Sequence, residues 1–282
     1  MEINEARKLQ KTQLVLLHET DRICRELGIR YYMIGGTLLG AVRHGGFIPW
    51  DADIDIAMCR EAYEKFRKYW EENTSEKFFY QSYATEKNHL SPHALLRIRG
   101  THVVMNSRRA ERFPVAEDGI YLDIFPLDEA PVSHKKQKRQ MLEIKRIRRL
   151  IELKAAYTYG KNTGKLKRIA KRMIQICLTP CSLLTLNKRL DKAMRRHTGS
   201  NSGYLVSMAS HYSYWKQLMP EEIYGDPQRI HFEDGEYCAP ADTDAYLRKI
   251  YGAYMQLPPV EKRFSDLDNI AYIDYGSGII DS

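Results

Sequence analysis

Two aspartates stand two residues apart inside an apolar run, Asp53-Ile54-Asp55-Ile56-Ala57. On a β-strand that spacing sends both carboxylates to one face and both isoleucines to the other. Asp51 shares the acidic face if the strand starts early enough. Like charges crowded on one face repel unless a proton or a cation lies between them, and unpaired aspartates in a buried strand are costly. Hard carboxylate oxygens so arranged suit Mg2+ or Mn2+. A third acid in apolar surroundings, Asp123 in Leu122-Asp123-Ile124-Phe125, completes the cluster if its strand pairs with the first. Three carboxylates of this kind can hold two ions ~3.5–4 Å apart and support in-line displacement at phosphorus. Asp53, Asp55 and Asp123 are therefore expected to be both metal ligands and catalytic residues. Asp128, two residues after Pro126, reads as a structural loop or cap residue.

Upstream lies Gly35-Gly36-Thr37, read as a strand-to-helix turn. Glycines let a backbone approach phosphate, and a helix N-terminus offers free N–H groups and partial positive charge. Thr37 is the expected cap of a short helix through Val42. Arg43 would clamp a phosphate, and His44 would either donate to the ligand or stabilise its own loop.

The elements that must position these residues alternate in type. Helical periodicity covers Asn4 to Leu27, ending at Gly28, and Arg60 to Glu72. Strands are expected over Tyr31–Ile34, Asp53–Met58, Phe78–Tyr83, Ala94–Ile98, His102–Asn106 and Gly119–Ile124. After Pro131 the pattern turns helical and basic, over Lys135–Tyr157, Lys165–Leu178 and Leu183–His197, with Pro180 breaking the last two. A polar loop region, a helix near Asp242–Tyr251 and an irregular end follow. The fold class is α/β (α+β), a mixed sheet flanked by helices. Three parts are expected: a catalytic core over 1–130, a basic helical insert over 131–200, and a segment over 201–282 that completes the core.

Composition is that of a folded protein: 282 residues, 43% hydrophobic and 28% charged, with a net charge of +8. These values exclude wholesale disorder and low-complexity classes. Five cysteines without a CxxC pair point to a reducing compartment. The amino terminus lacks a signal-peptide pattern and no stretch approaches the ~20 apolar residues of a membrane span, so a cytoplasmic location is expected. The positive charge is concentrated. Between Ser133 and His197, 20 Lys+Arg accompany three acids (Glu143, Glu152, Asp191), and the rest of the chain is net negative. Such a block contacts polyanions or forms a solvated helical face. Met173 to Asn187 carries no charge. That stretch is too short to span a bilayer but suits an interfacial helix pair with a basic flank, or packing against the core.

Three blocks together are specific: IGGTLLGAVRHGGFIPWDADIDI, YLDIFPLD and YLRKIYGAYMQLPPVEKR, spread from Tyr31 to Arg263. They resemble the LicD family, a branch of the nucleotidyltransferase superfamily that includes bacterial phosphocholine transferases and, distantly, fukutin and its relatives. Ala52 and Gly252-Ala253 depart from the family pattern. The resemblance implies a nucleotidyltransferase-like mixed sheet and transfer of a phosphoalcohol group, phosphocholine from CDP-choline in the best-known case, to a sugar hydroxyl. It implies a CDP-activated alcohol donor, and a glycan or lipid-linked glycan acceptor such as a lipopolysaccharide or teichoic acid precursor. An anionic membrane surface at the inner face of the membrane is a further expected partner, and nucleic acid is not one. Gly35, Gly36, Thr37, Arg43 and His44 would then bind the donor phosphates. Trp50, Asp51, Tyr251 and Arg263 would bind substrate or support the ligands. A quaternary ammonium needs aromatic faces, and Trp50, Tyr212, Tyr214 and Trp215 are the candidates. The alternatives are a nucleotidyltransferase that transfers a nucleoside monophosphate, and a non-enzymatic basic protein that binds polyanions.

Overall fold

A computed structural model describes residues 3–105, 114–155, 164–260, 263 and 270–276. Helix α1 (Ile3–Leu27) buries Leu9, Leu16, Leu17 and Ile23 along one side. Helix α3 (Arg60–Glu72) does the same with Tyr63, Phe66 and Trp70, spaced three and four apart. Between these elements runs a short strand, β1 (Tyr32–Met33), then helix α2 (Gly35–His44) and strand β2 (Asp55–Cys59).

Strands β3 (Phe78–Gln81), β4 (Ala94–Ile98) and β6 (Tyr121–Glu129) join β1 and β2 in one sheet of order β1-β2-β6-β4-β3. Strand β5 (His102–Met105) pairs instead with β11 (Ile270–Asp274). Within the main sheet β2 and β6 run parallel, whereas β1, β3 and β4 pair antiparallel with their neighbours. Sheet and helices form the mixed α/β architecture expected of the sequence.

The basic region contributes helices α4 (His134–Ala155), α5 (Lys165–Cys177) and α6 (Leu183–Met194). Gln140 of α4 donates to the carbonyls of Ala193 and Met194 at 3.0 and 3.1 Å. Helix α6 reaches the connection between β3 and β4 through Asn187, which donates to the His89 carbonyl at 2.8 Å, and both that connection and α3 through Asp191, which accepts from Tyr83 and Arg60.

Several elements differ from the sequence expectation. Asp53 precedes β2, which starts at Asp55. Thr37 does not cap α2: the helix begins at Gly35 with Ile34 at the cap position, and the Thr37 hydroxyl accepts the Asp55 amide at 2.8 Å. Asp128 is not in a loop. Strand β6 continues five residues past Ile124 and buries Asp128 completely, where both its oxygens accept from the Arg60 guanidinium at 2.7 Å. Pro126 is tolerated inside this strand because β4 pairing ends at Ile124 and pairing with β7 (Tyr204–Val206) begins at Asp128. The missing amide falls in the gap between those two neighbours.

The polar loop expected after the basic helices is more ordered than it reads. Strand β7 pairs with β8 (Leu218–Pro220), between which lies the single-turn helix α7 (Tyr214–Gln217). A second single turn, α8 (Glu221–Tyr224), leads to a hairpin of β9 (Gln228–Phe232) and β10 (Gly235–Ala239). Glu233 in its turn pairs with Arg7 and accepts the Phe47 amide, and Phe232 packs on Phe47 at 4.9 Å. The hairpin thus braces the loop after α2. Helix α9 (Thr243–Tyr251) follows, with the Asp242 side chain accepting the Ala245 amide as its cap. All five cysteines are free.

Candidate active site

The parallel register of β2 and β6 sets Asp55 opposite Asp123. The Asp123 amide donates to the Ile54 carbonyl at 2.8 Å, which carries the pairing past the start of β2 and draws Asp53 alongside. One carboxylate oxygen each from Asp53, Asp55 and Asp123 lies within 4.8 Å of the others. Asp53 and Asp55 are half-buried and Asp123 is buried. Burial, reinforced by the charges of Asp55, Asp51 and Asp123, pushes the Asp53 carboxyl well above the ordinary aspartate range. A recess of this charge is unfavourable by itself, and a hard divalent cation with oxygen preference fits its donor set.

The start of α2 closes over the same carboxylates. A Cβ on Gly35 would lie 2.8 Å from Asp55 Oδ2, and one on Gly36 would collide with Asp51 Oδ2. Gly35 also holds φ at +56°, in the left-handed region. A side chain at Gly35 would be strained by its backbone as well, and one at Gly36 would push the Asp51 carboxylate aside. The Ile34 amide donates to the Asp55 carbonyl at 3.0 Å, which locks the helix start to the acidic strand. An anion beside the carboxylates would meet the positive end of α2.

Aromatic side chains from the last third of the chain form a wall. The Tyr246 hydroxyl accepts the Gly35 amide at 3.3 Å. Tyr212 and Tyr251 meet edge to face at 6.3 Å and share a hydrogen bond. Burial raises the phenols of Tyr212, Tyr246 and Tyr251, and Asp55 pushes each in the same direction. Tyr212 also senses Asp51 and Asp53.

At the rim, Arg43 donates to the Tyr254 carbonyl at 2.9 Å, and burial followed by the charge of Arg263 lowers its affinity for its proton. The Arg263 guanidinium lies over the Trp50 ring at 5.0 Å, and His44 meets the edge of that indole at 6.2 Å. Burial lowers the His44 imidazole, and Arg43 adds to this. Trp50 thus presents its face to a cation, here one from the chain itself. Tyr214 and Trp215 turn elsewhere, to Gln140 at 3.1 Å and onto the His134 ring at 4.8 Å, both partners on α4.

Two residues, His93 and Tyr246, lie outside the sequence expectation. His93 Nε2 lies 2.7 Å from Asp123 Oδ1. Its ring rests on Phe125 at 4.2 Å, and its carbonyl accepts from His89 at 2.7 Å. The available signal was a histidine directly before Ala94–Ile98, the strand that pairs with Asp123. Tyr246 was also missed, because a tyrosine among apolar helical positions reads as core.

A small mixed sheet that sets acids from adjacent strands against a double-glycine helix start is the architecture of a nucleotidyltransferase-type domain. Residues 28–147 match the family described as LicD/FKTN/FKRP, nucleotidyltransferase domain, and the chain carries a LicD family domain. Over 272 residues it is 28% identical to the lipopolysaccharide cholinephosphotransferase LicD of Haemophilus influenzae, covering 94% of this chain and 98% of that protein. Over 49 residues it is 47% identical to the human ribitol 5-phosphate transferase FKRP, covering 16% of this chain and 10% of that protein.

Proposed function

We propose that the protein transfers a phosphoalcohol group from a CDP-activated donor, phosphocholine from CDP-choline, to a sugar hydroxyl of a cell-surface glycan or its lipid-linked precursor. The observation that carries this reading is the convergence of Asp53, Asp55 and Asp123 against the Gly35-Gly36 helix start. Similarity to a lipopolysaccharide cholinephosphotransferase along nearly the whole chain supports the choice of transferred group.

Asp53, Asp55 and Asp123 would hold the divalent ions, Mg2+ or Mn2+. Bound there, the ions neutralise phosphate charge and act as Lewis acids toward the transferring phosphorus. The start of α2, at Gly35, Gly36 and Thr37, orients the donor phosphates by its dipole and amides. Arg43 and His44 stand at the far end of that helix to contact the nucleotide end of the donor. Trp50 and Arg263 at the rim, with Tyr212 and Tyr251 along the wall, shape the space for the alcohol and the acceptor. The acceptor hydroxyl oxygen forms a bond to the phosphorus that carries choline, the bond from that phosphorus to CMP breaks, and the hydroxyl proton passes to the Asp123 carboxylate. His93 keeps one oxygen of that carboxylate oriented. In this reading residues 1–130 and 201–282 act as the catalytic part and residues 131–200 as an insert.

The test is incubation of the purified protein with CDP-choline, Mg2+ or Mn2+ and candidate glycans. Acceptor-dependent CMP release with a phosphocholine-bearing product is expected, and Asp55→Asn abolishes it. A nucleotidylated acceptor, with phosphocholine released from CDP-choline or, in a parallel incubation, pyrophosphate released from a nucleoside triphosphate, would replace this reading with nucleotidyl transfer.

A further inference from the structure

Helix α5 carries an apolar stripe that nothing among the described residues covers. Leu166, Ile169, Met173 and Ile176, spaced three, four and three apart, are 84, 59, 56 and 59% exposed. On a helix that spacing draws all four onto one side. The helix meets the rest of the protein near its other side and its end. Gln175 donates to the Leu153 carbonyl at 2.9 Å, and Lys154 of α4 donates to the Leu178 carbonyl just past the helix at 3.0 Å. Exposed leucine and isoleucine in an unbroken stripe are unusual on a soluble surface.

The charge of the same helix names the occupant. Its sequence, KLKRIAKRMIQIC, has five basic residues and no acid; the exposed Arg172 borders the stripe, and the exposed Lys167 lies farther round the same helix. At 13 residues the helix is about 20 Å long, too short to cross a bilayer, and no helix among the described residues is long and apolar enough to do so. A convex stripe of flexible aliphatic side chains offers no shape for a folded partner to match. It does suit a fluid apolar layer beneath an anionic surface, into which such a helix sinks one face while its basic residues meet the headgroups.

We propose that α5 docks the protein on an anionic phospholipid bilayer, lying parallel to the surface with Leu166, Ile169, Met173 and Ile176 immersed. Docking of this kind holds the catalytic domain beside acceptors carried on lipid, and does not depend on which group the active site transfers.

Vesicle flotation tests this without reference to activity. The protein should float with phosphatidylcholine–phosphatidylglycerol vesicles, remain behind with phosphatidylcholine alone, and be released by salt. Ile169→Glu with Met173→Glu should reduce partitioning at least tenfold, and Lys167→Glu with Arg172→Glu should do the same. Val132→Glu, at another exposed apolar site, should not. Circular dichroism and turnover on a soluble acceptor should be unchanged in all three. Equal recovery with neutral and anionic vesicles, or normal flotation of both double variants, would overturn the proposal. So would a lipid-independent dimer that Ile169→Glu/Met173→Glu dissociates, which would give the stripe to a second copy of the chain. Binding of DNA or RNA lost in Lys167→Glu/Arg172→Glu, without flotation, would give the charge to nucleic acid.

Discussion

His93 donates from Nε2 to Oδ1 of Asp123 at 2.7 Å, so the carboxylate on the central strand is aimed by an imidazole from the segment just before the neighbouring strand. The other ring nitrogen is buried without a partner among the described residues, which leaves Asp123 as the hydrogen bond that fixes the tautomer. An outer partner of this type would orient the carboxylate toward the ion proposed there and tune its basicity. Replacing His93 by Ala should weaken divalent-ion affinity and turnover by about 10–100-fold. Gln at this position should retain more of both. Calorimetric titration with Mn2+ separates this from a general packing defect, which would lower the melting temperature and leave ion affinity in place.

Burial and three neighbouring carboxylates all oppose the charge on Asp53. Asp53→Asn removes one like charge from the recess. In chelator the variant should melt at or above the wild-type temperature at neutral pH. Added Mg2+ should raise the wild-type melting temperature, since a ligand that binds only the folded state stabilises it, and should leave the variant unchanged. A variant that melts lower in chelator and still responds to Mg2+ would show Asp53 to be structural.

The Arg60 guanidinium holds two buried acids at once, Asp128 at 2.7 Å and Asp191 of α6 at 3.1 Å. Breaking a buried pair from one side leaves an uncompensated charge, so Arg60→Met should cost about 3–5 kcal/mol in urea unfolding. Arg60→Met combined with Asp128→Leu should recover most of that loss. No recovery would mean that packing, not charge, dominates this junction.

His89 is buried, and that burial pushes its imidazole from 6.5 down to about 4. The unfolded chain therefore binds a proton that the folded chain refuses between those values. Stability is complete above pH 6.5 and falls as the pH drops toward 4, by on the order of 3 kcal/mol from this group. His89→Gln should flatten the difference in urea stability between neutral and mildly acidic buffer. Because His89 donates to the His93 carbonyl, the acidic loosening should appear first as faster hydrogen exchange around His93.

Much of the acidic recess could be read in advance because it rests on local rules. Period two in Asp53-Ile54-Asp55 and the apolar setting of Asp123 put acids on faces, and helix α3 and strand β4 fall at their expected bounds. What escaped depends on pairing between distant segments. Asp128 looks like a loop acid until Arg60, 68 positions away, is seen to fill the space beside it. Pro126 argues against a strand unless the gap between β4 and β7 is known. The β9–β10 hairpin has a short, mostly exposed first strand, whose alternation is confined to the four residues Arg229-Ile230-His231-Phe232. His93 and Tyr246 act through contacts that only the folded register brings about.

Asp55 and Asp123 are partners in a parallel ladder, where a slip of a single position sends every side chain of one strand to the far side of the sheet. A refolding chain that zips these strands out of step thus separates the two acids and offers an ion nothing to grip. Dissolved Mg2+ becomes an alignment gauge in consequence. If the acids bind it as proposed, it should tip half-formed sheets toward the one arrangement that can chelate, and lift the yield of native chains before any substrate is present.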